Sequence, residues 1–160
     1  MVGKFRKRIC CLIPLKRLVY LISPNKINKD FYNNLDKVLS FKNVKFFQLR
    51  LKKIKLNTLI KIAYKIKKIT KKYKVKFIIN DSYIASLRVN ADGCHIGQLD
   101  GSIFKARTNL RKKILGVTCH NSKVHAKNAI KSNADYIAFG SFFIYKHKQN
   151  AKKAYLDILR

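Results

Sequence analysis

Two rhythms of apolar residues alternate along the chain. Leu18 to Ile22 is a nearly continuous apolar run closed by Ser23-Pro24, which predicts a buried strand. Phe31 to Leu39 then places apolar residues at 31, 35, 38 and 39, the spacing of a helix with one covered face. Val44 to Leu51 sets Val44, Phe46, Phe47, Leu49 and Leu51 among polar positions and suits a second strand. A long helix follows from about Thr58 to Tyr73, with Leu59, Ile62, Ala63, Ile66 and Ile69 on one face and Thr58 as its N-cap. Four more short apolar runs, at 75–79, 94–96, 114–117 and 136–139, predict strands, and helical stretches at 83–90, 103–112 and 122–132 separate them. Strand and helix repeated in this way predict a parallel sheet with helical crossovers.

Two arrangements satisfy that pattern: an open doubly wound sheet, and a (β/α)₈ barrel that is not complete. In both, chemistry collects at the carboxyl ends of the strands. The chain divides into a basic arm, residues 1–17, and one α/β domain over 18–160. One domain is also what 160 residues suggest. The arm has a basic start, but its apolar core, Ile9 to Leu15, is short for a signal peptide and lacks a small-residue cleavage site, and an organellar presequence is the rival reading.

Composition changes this picture in one respect. There are 37 Lys and Arg against 7 acidic residues, a balance of +30, and every acid is Asp. With 48% hydrophobic residues the chain is no disordered basic tail. The charge points to anionic partners: phosphorylated small molecules, or nucleic acid bound without sequence preference. Much of the Lys excess travels with Asn and Ile, so it reads chiefly as compositional background on solvated helix faces. Cys10, Cys11, Cys94 and Cys119 have no metal-binding spacing, which fits a reducing, cytoplasmic setting. No apolar run approaches the ~20 residues that span a bilayer, so no membrane association is expected.

The residues at the predicted strand ends carry the candidate chemistry. Gln48, Arg50 and Lys52 are spaced by two, so their side chains would leave the second strand on one face and form an anion cradle. Asn80-Asp81 follows the third strand and Asp100 comes shortly after the fourth. Three of the seven acids, Asp81, Asp92 and Asp100, fall within one short stretch. Carboxylates at neighbouring strand ends are hard cation ligands, and Mg²⁺ commonly takes one or two of them with substrate phosphates. The bland reading makes Asp81 a helix cap and Asp100 a turn residue. Thr118 offers a hydroxyl after the fifth strand. Cys119 and His120 suggest a nucleophile and base, but neighbours on a strand face opposite ways. Gly140 would let backbone approach a ligand, and Lys146, His147 and Lys148 follow it. His95 and His125 read as structural or exposed.

These residues resemble the thiamine phosphate synthase family. The likeness lies in Phe77-Ile-Ile-Asn-Asp81, Ala91-Asp-Gly-Cys-His-Ile-Gly-Gln-Leu-Asp100, Leu115-Gly-Val-Thr-Cys-His120 and Ala134-Asp-Tyr-Ile-Ala-Phe-Gly140, in that order and spacing. Gln48-Leu-Arg-Leu-Lys52 is similar to the family's second-strand motif, and the likeness runs from about Leu18 to Lys148. It implies a TIM-type (β/α)₈ barrel of which this chain carries about six units, the last two strands being absent. It also implies a transferase of thiamine biosynthesis that joins hydroxymethylpyrimidine pyrophosphate to thiazole phosphate and releases pyrophosphate with Mg²⁺. By motif, Gln48, Arg50, Lys52 and Asn80 would hold the pyrimidine substrate and its pyrophosphate, with Arg50 and Lys148 as the catalytic cations. Asp81 and Asp100 would bind Mg²⁺, and Thr118 stands where the family usually has Ser against the pyrimidine. Gly140-Ser141 replaces the family's Gly-Pro. Tyr145 and His147 replace its Thr-x-Thr contact to the thiazole phosphate, which separates the second substrate's site from the family pattern.

An incomplete barrel leaves strand edges unpaired. The expected remedies are a helix over 150–160 covering one opening, or pairing with a second copy of the chain. The competing functions are a thiazole tautomerase-like or regulatory relative, a basic nucleic-acid-binding protein, and a folded product without activity. The Asn80-Asp81 and Asp100 set favours the synthase pattern over the first. The scatter of the Lys residues and the lack of a recognition motif disfavour the second.

Overall fold

In the computed structural model, residues 18–142 and 154–159 are described. Six strands, β1 (Val19–Ile22), β2 (Val44–Leu49), β3 (Lys76–Asn80), β4 (Gly93–Ile96), β5 (Ile114–His120) and β6 (Tyr136–Phe139), pair in parallel in the order of the chain. Five helices connect them: α1 (Phe31–Leu39), α2 (Leu56–Lys72), α3 (Tyr83–Arg88), α4 (Ile103–Leu110) and α5 (Lys123–Lys131). A doubly wound sheet reverses its strand order partway, and this sheet does not. Because each crossover has the same hand, an unreversed order puts every helix on one face.

Side-chain alternation assigns the two faces. Phe47, Leu49, Phe77 and Ile79 pack with Leu35 and Leu39 of α1 and Leu59, Ala63 and Ile66 of α2. Cys94, Ile96, Leu115, Val117 and Cys119 pack with Ala106 and Leu110 of α4 and Ala126 and Ala129 of α5. The opposite face carries Tyr20, Gln48, Asn80, His95, Thr118 and Tyr136. Although β1 and β6 are the two ends of the sheet, the Tyr20 and Tyr136 hydroxyls lie 2.7 Å apart. The sheet therefore curls into a half-barrel, with helices outside and a polar concave wall inside.

Gly116 is the residue that this inner wall requires. A Cβ there would meet Tyr136 Cζ at 2.1 Å and His95 Nδ1 at 2.6 Å, so a larger residue would displace both rings.

The elements follow the apolar rhythm, with four corrections. The first strand is an edge strand and not a buried one, with Val19 38% and Ile22 55% exposed, because it has a neighbour on one side only. Thr58 does not cap α2, which begins earlier, after an extended Lys55 with no side-chain cap. β5 runs to His120, so Thr118 and Cys119 belong to the strand and do not follow it. At 154–159 the chain forms a short 3₁₀ turn, Leu156–Leu159, whose Leu156 and Leu159 are exposed while Ala154 is buried. The arm 1–17, residues 143–153, which include Tyr145, His147, Lys148 and the start of the expected final helix, and Arg160 lie outside the described residues. No described helix is long and apolar enough to cross a membrane.

Candidate active site

At the carboxyl ends of the strands the predicted residues gather on one rim. Gln48, one residue short of the end of β2, is buried and turns inward, its Nε2 donating to the Tyr20 hydroxyl at 3.0 Å. Arg50 lies just past the strand and is half-buried. Its backbone N–H donates to Ser23 Oγ at 2.9 Å and its Nη1 to Asn25 Oδ1 at 3.2 Å. Lys52 reaches the other way and pairs with Asp81 Oδ2. The three side chains thus fan out along the rim and do not meet at one atom. Arg50 and Lys52 nevertheless both act electrostatically on His95, each lowering its pKa.

Asp81 does not cap α3. That role falls to Ser82, whose Oγ accepts from the Ala85 N–H. Asp81 instead sits at φ 65, its N–H donating to His95 O at 2.7 Å. Asp100 does serve a turn, its Oδ2 accepting from the Gly97 N–H at 2.7 Å. The same carboxyl also faces Asp81. Burial, reinforced by that neighbouring carboxylate, pushes the Asp100 pKa up, with Lys52 acting in the opposite sense. Two carboxylates crowded together with insufficient compensation form a place that favours a cation. Among the described residues no group of three or more His, Cys, Asp or Glu forms a fuller cage. The pair fits an ion such as Mg²⁺, which keeps water and substrate oxygens as its remaining ligands.

Asn80 ends β3 and is buried. Thr118 points to the concave side, with Oγ1 2.7 Å from His95 Nε2, while Gln98 Nε2 donates to its carbonyl at 2.5 Å. Gly140 donates its N–H to His120 O at 3.0 Å, at φ 153, with open space where a side chain would start. Cys119 is buried and His120 exposed, as residues on opposite faces must be. Burial pushes up the pKa of Cys94 and of Cys119, so neither is an activated nucleophile.

Sequence reasoning missed the middle of this wall. Tyr20, His95 and Tyr136 join Gln48 to Thr118 through hydrogen bonds. Burial holds His95 down at about 4, so its ring is neutral, and raises the pKa of both tyrosines. The signal was present in the register: Tyr20 and Gln48 are inward positions on adjacent strands, as are His95 and Gly116.

A curled, singly wound sheet with cationic and carboxylate groups along the carboxyl rim defines an α/β half-barrel of the enzyme type, with a candidate active site at that rim. A family model described as thiamine monophosphate synthase matches residues 19–160, and the chain belongs to that family. It is 55% identical over 147 residues to the thiamine-phosphate synthase of Pelagibacter ubique, covering 91% of this chain and 70% of that protein. Identity to the Erythrobacter litoralis thiamine-phosphate synthase is 38% over 146 residues, with 88% and 68% covered. A solved structure of thiamine phosphate pyrophosphorylase from Pyrococcus furiosus superposes with a TM-score of 0.70 at 26% identity. The match covers 80% of this chain and 62% of that one, so the chain spans less than two thirds of the solved relative. The family and its named relatives make this protein a transferase of thiamine biosynthesis.

Proposed function

We propose that this chain forms six βα units of a TIM-type barrel that condenses hydroxymethylpyrimidine pyrophosphate with thiazole phosphate, giving thiamine phosphate and pyrophosphate. The observation that carries this reading is the Asp81 and Asp100 pair at adjacent strand ends beside Lys52. Asp81 and Asp100 would hold Mg²⁺, which when bound would supply positive charge against the departing pyrophosphate. Arg50, Lys52 and Lys148 share that anion, and Asn80 and the Gly140 backbone line the same substrate. Gln48 and Thr118, both facing inward, orient the pyrimidine ring. The chemistry needs positioned charge and little covalent work from the protein, and the buried wall keeps those donors fixed before substrate arrives.

The proposed setting is cytoplasmic, with substrates gathered by the general positive field. Exposed apolar residues on the β1 edge, Leu18, Val19 and Ile22, favour self-association. Sedimentation should show a mass that rises with concentration, and a monomer over a tenfold range contradicts that part. The function itself is tested by mixing the protein with both substrates and Mg²⁺. Thiamine phosphate should accumulate, and failure to form product together with failure to bind the pyrimidine pyrophosphate refutes the assignment.

A further inference from the structure

Three inner-wall side chains have no part in the reaction as proposed, yet they link two that do. Gln48 Nε2 donates to the Tyr20 hydroxyl at 3.0 Å, and that hydroxyl lies 2.7 Å from the Tyr136 hydroxyl. The Tyr136 hydroxyl is 3.0 Å from His95 Nδ1, and His95 Nε2 is 2.7 Å from Thr118 Oγ1. Each hydroxyl has one hydrogen to give, and a neutral imidazole has one donor and one acceptor nitrogen. The amide nitrogen of Gln48 can only donate, so Tyr20 accepts there. If Tyr20 also accepted from Tyr136, its own hydrogen would have no acceptor in the line, which is costly in a half-buried position. With the hydrogen passed on to Tyr136, every donor from Gln48 to His95 finds a partner, and the one open hydrogen moves to the Thr118 end of the line. Tyr136 then donates to His95 Nδ1, and the ring carries its proton on Nε2 and donates to Thr118. The hydrogen of Thr118 is left to point at a ligand.

We infer that Tyr20, Tyr136 and His95 are positioning residues that hold the Thr118 hydroxyl as a hydrogen-bond donor to a ring nitrogen of the pyrimidine substrate. The inference rests on the proposed function for its ligand, and on the hydrogen-bond line and the Gly116 gap for its geometry. Gly116 makes the line possible, because any Cβ there would occupy the space where Tyr136 meets His95.

Two measurements on the full chain test it. Nitrogen-15 NMR of histidine-labelled protein should show His95 in the Nε2–H tautomer, the signal being assigned by its loss in His95→Gln. Tyr136→Phe should then weaken calorimetric binding of hydroxymethylpyrimidine pyrophosphate with Mg²⁺ by about tenfold, the order of one hydrogen bond. Inorganic pyrophosphate serves as the control ligand and should be unaffected. Adding Tyr136→Phe to Thr118→Val should cost nothing more, since the residues act through one hydrogen. An Nδ1–H tautomer in wild-type protein that binds the pyrimidine pyrophosphate, or additive losses in the double variant, overturns the inference. No pyrimidine pyrophosphate binding by a wild type in the Nε2–H form refutes the functional reading instead, and with it the ligand assigned to Thr118.

Discussion

Asp92 and Asp135 stand at the amino ends of β4 and β6, whereas Asp81 and Asp100 stand beyond the carboxyl ends of β3 and β4. The lower pair repeats one device. Asp92 accepts from the Phe77 N–H of β3 at 3.0 Å and pairs with Lys67 and Lys76 at 3.0 and 3.4 Å. Asp135 accepts from the Leu115 N–H of β5 at 2.8 Å and pairs with Arg107 at 2.9 Å. Each ties the start of one strand to its neighbour and is fully partnered. Burial works against ionised Asp92, but the Phe77 N–H and the two lysines outweigh it and hold its pKa below the usual carboxylate range. On the upper rim both carboxylates also have partners, Lys52 for Asp81 and the Gly97 N–H for Asp100, but at Asp100 the balance is reversed, because burial and the facing Asp81 outweigh them and raise its pKa. Carboxylates whose partners outweigh their burial serve the fold, and a carboxylate pair that stays under-compensated is open to a cation. A groove of about 830 Å³ lined by Lys76, Leu87, Asp92 and Arg111 lies at the satisfied end, away from the proposed chemistry.

The sharpest way to break this contrast is at Asp92. Asp92→Ala leaves a backbone N–H and Lys67 without their acceptor and should cost about 2–3 kcal/mol in urea unfolding. Asp100→Ala should cost far less than that. Next in size, Gly116→Ala forces a methyl into the Tyr136 ring and should cost about 1–3 kcal/mol. An unchanged urea midpoint would mean that the inner wall is looser than described. Smaller still, Asp100→Asn relieves the like-charge pair and should raise stability at pH 7 without Mg²⁺ by at most about 1 kcal/mol.

The pH dependence carries the same opposition. Asp92 has a depressed folded pKa, so its stabilisation is present above its unfolded pKa and is lost as pH falls through the folded value. Asp100 has a raised folded pKa, so the folded state binds its proton more tightly. Its contribution is present below the unfolded pKa and declines as pH rises through the folded one. A stability scan of Asp92→Asn should therefore lose part of the acid limb, and one of Asp100→Asn should gain stability above the carboxylate range. The same sign in both scans would contradict the comparison.

Much of this arrangement was legible in the sequence. The apolar rhythm placed all six strands and five helices, because buried faces enforce period two or 3.6. Asp81 and Asp100 stood out because acids are so few. Asp92 stood out on the same grounds and belongs to the other end, since proximity along the chain does not say which end of a strand a residue occupies. Edge exposure of β1 was hidden, because an apolar run looks alike at an edge and in the centre. The Tyr20 to Thr118 line was hidden because it joins the first strand to the last through the curl of the sheet.

The central claim, that Asp81 and Asp100 form a cation-dependent substrate site, is tested most directly by calorimetric titration of hydroxymethylpyrimidine pyrophosphate with and without Mg²⁺, on wild type and on Asp81→Ala. Wild type should bind more tightly with Mg²⁺, and the substitution should abolish that difference. A Mg²⁺-dependent gain that survives in Asp81→Ala would contradict it.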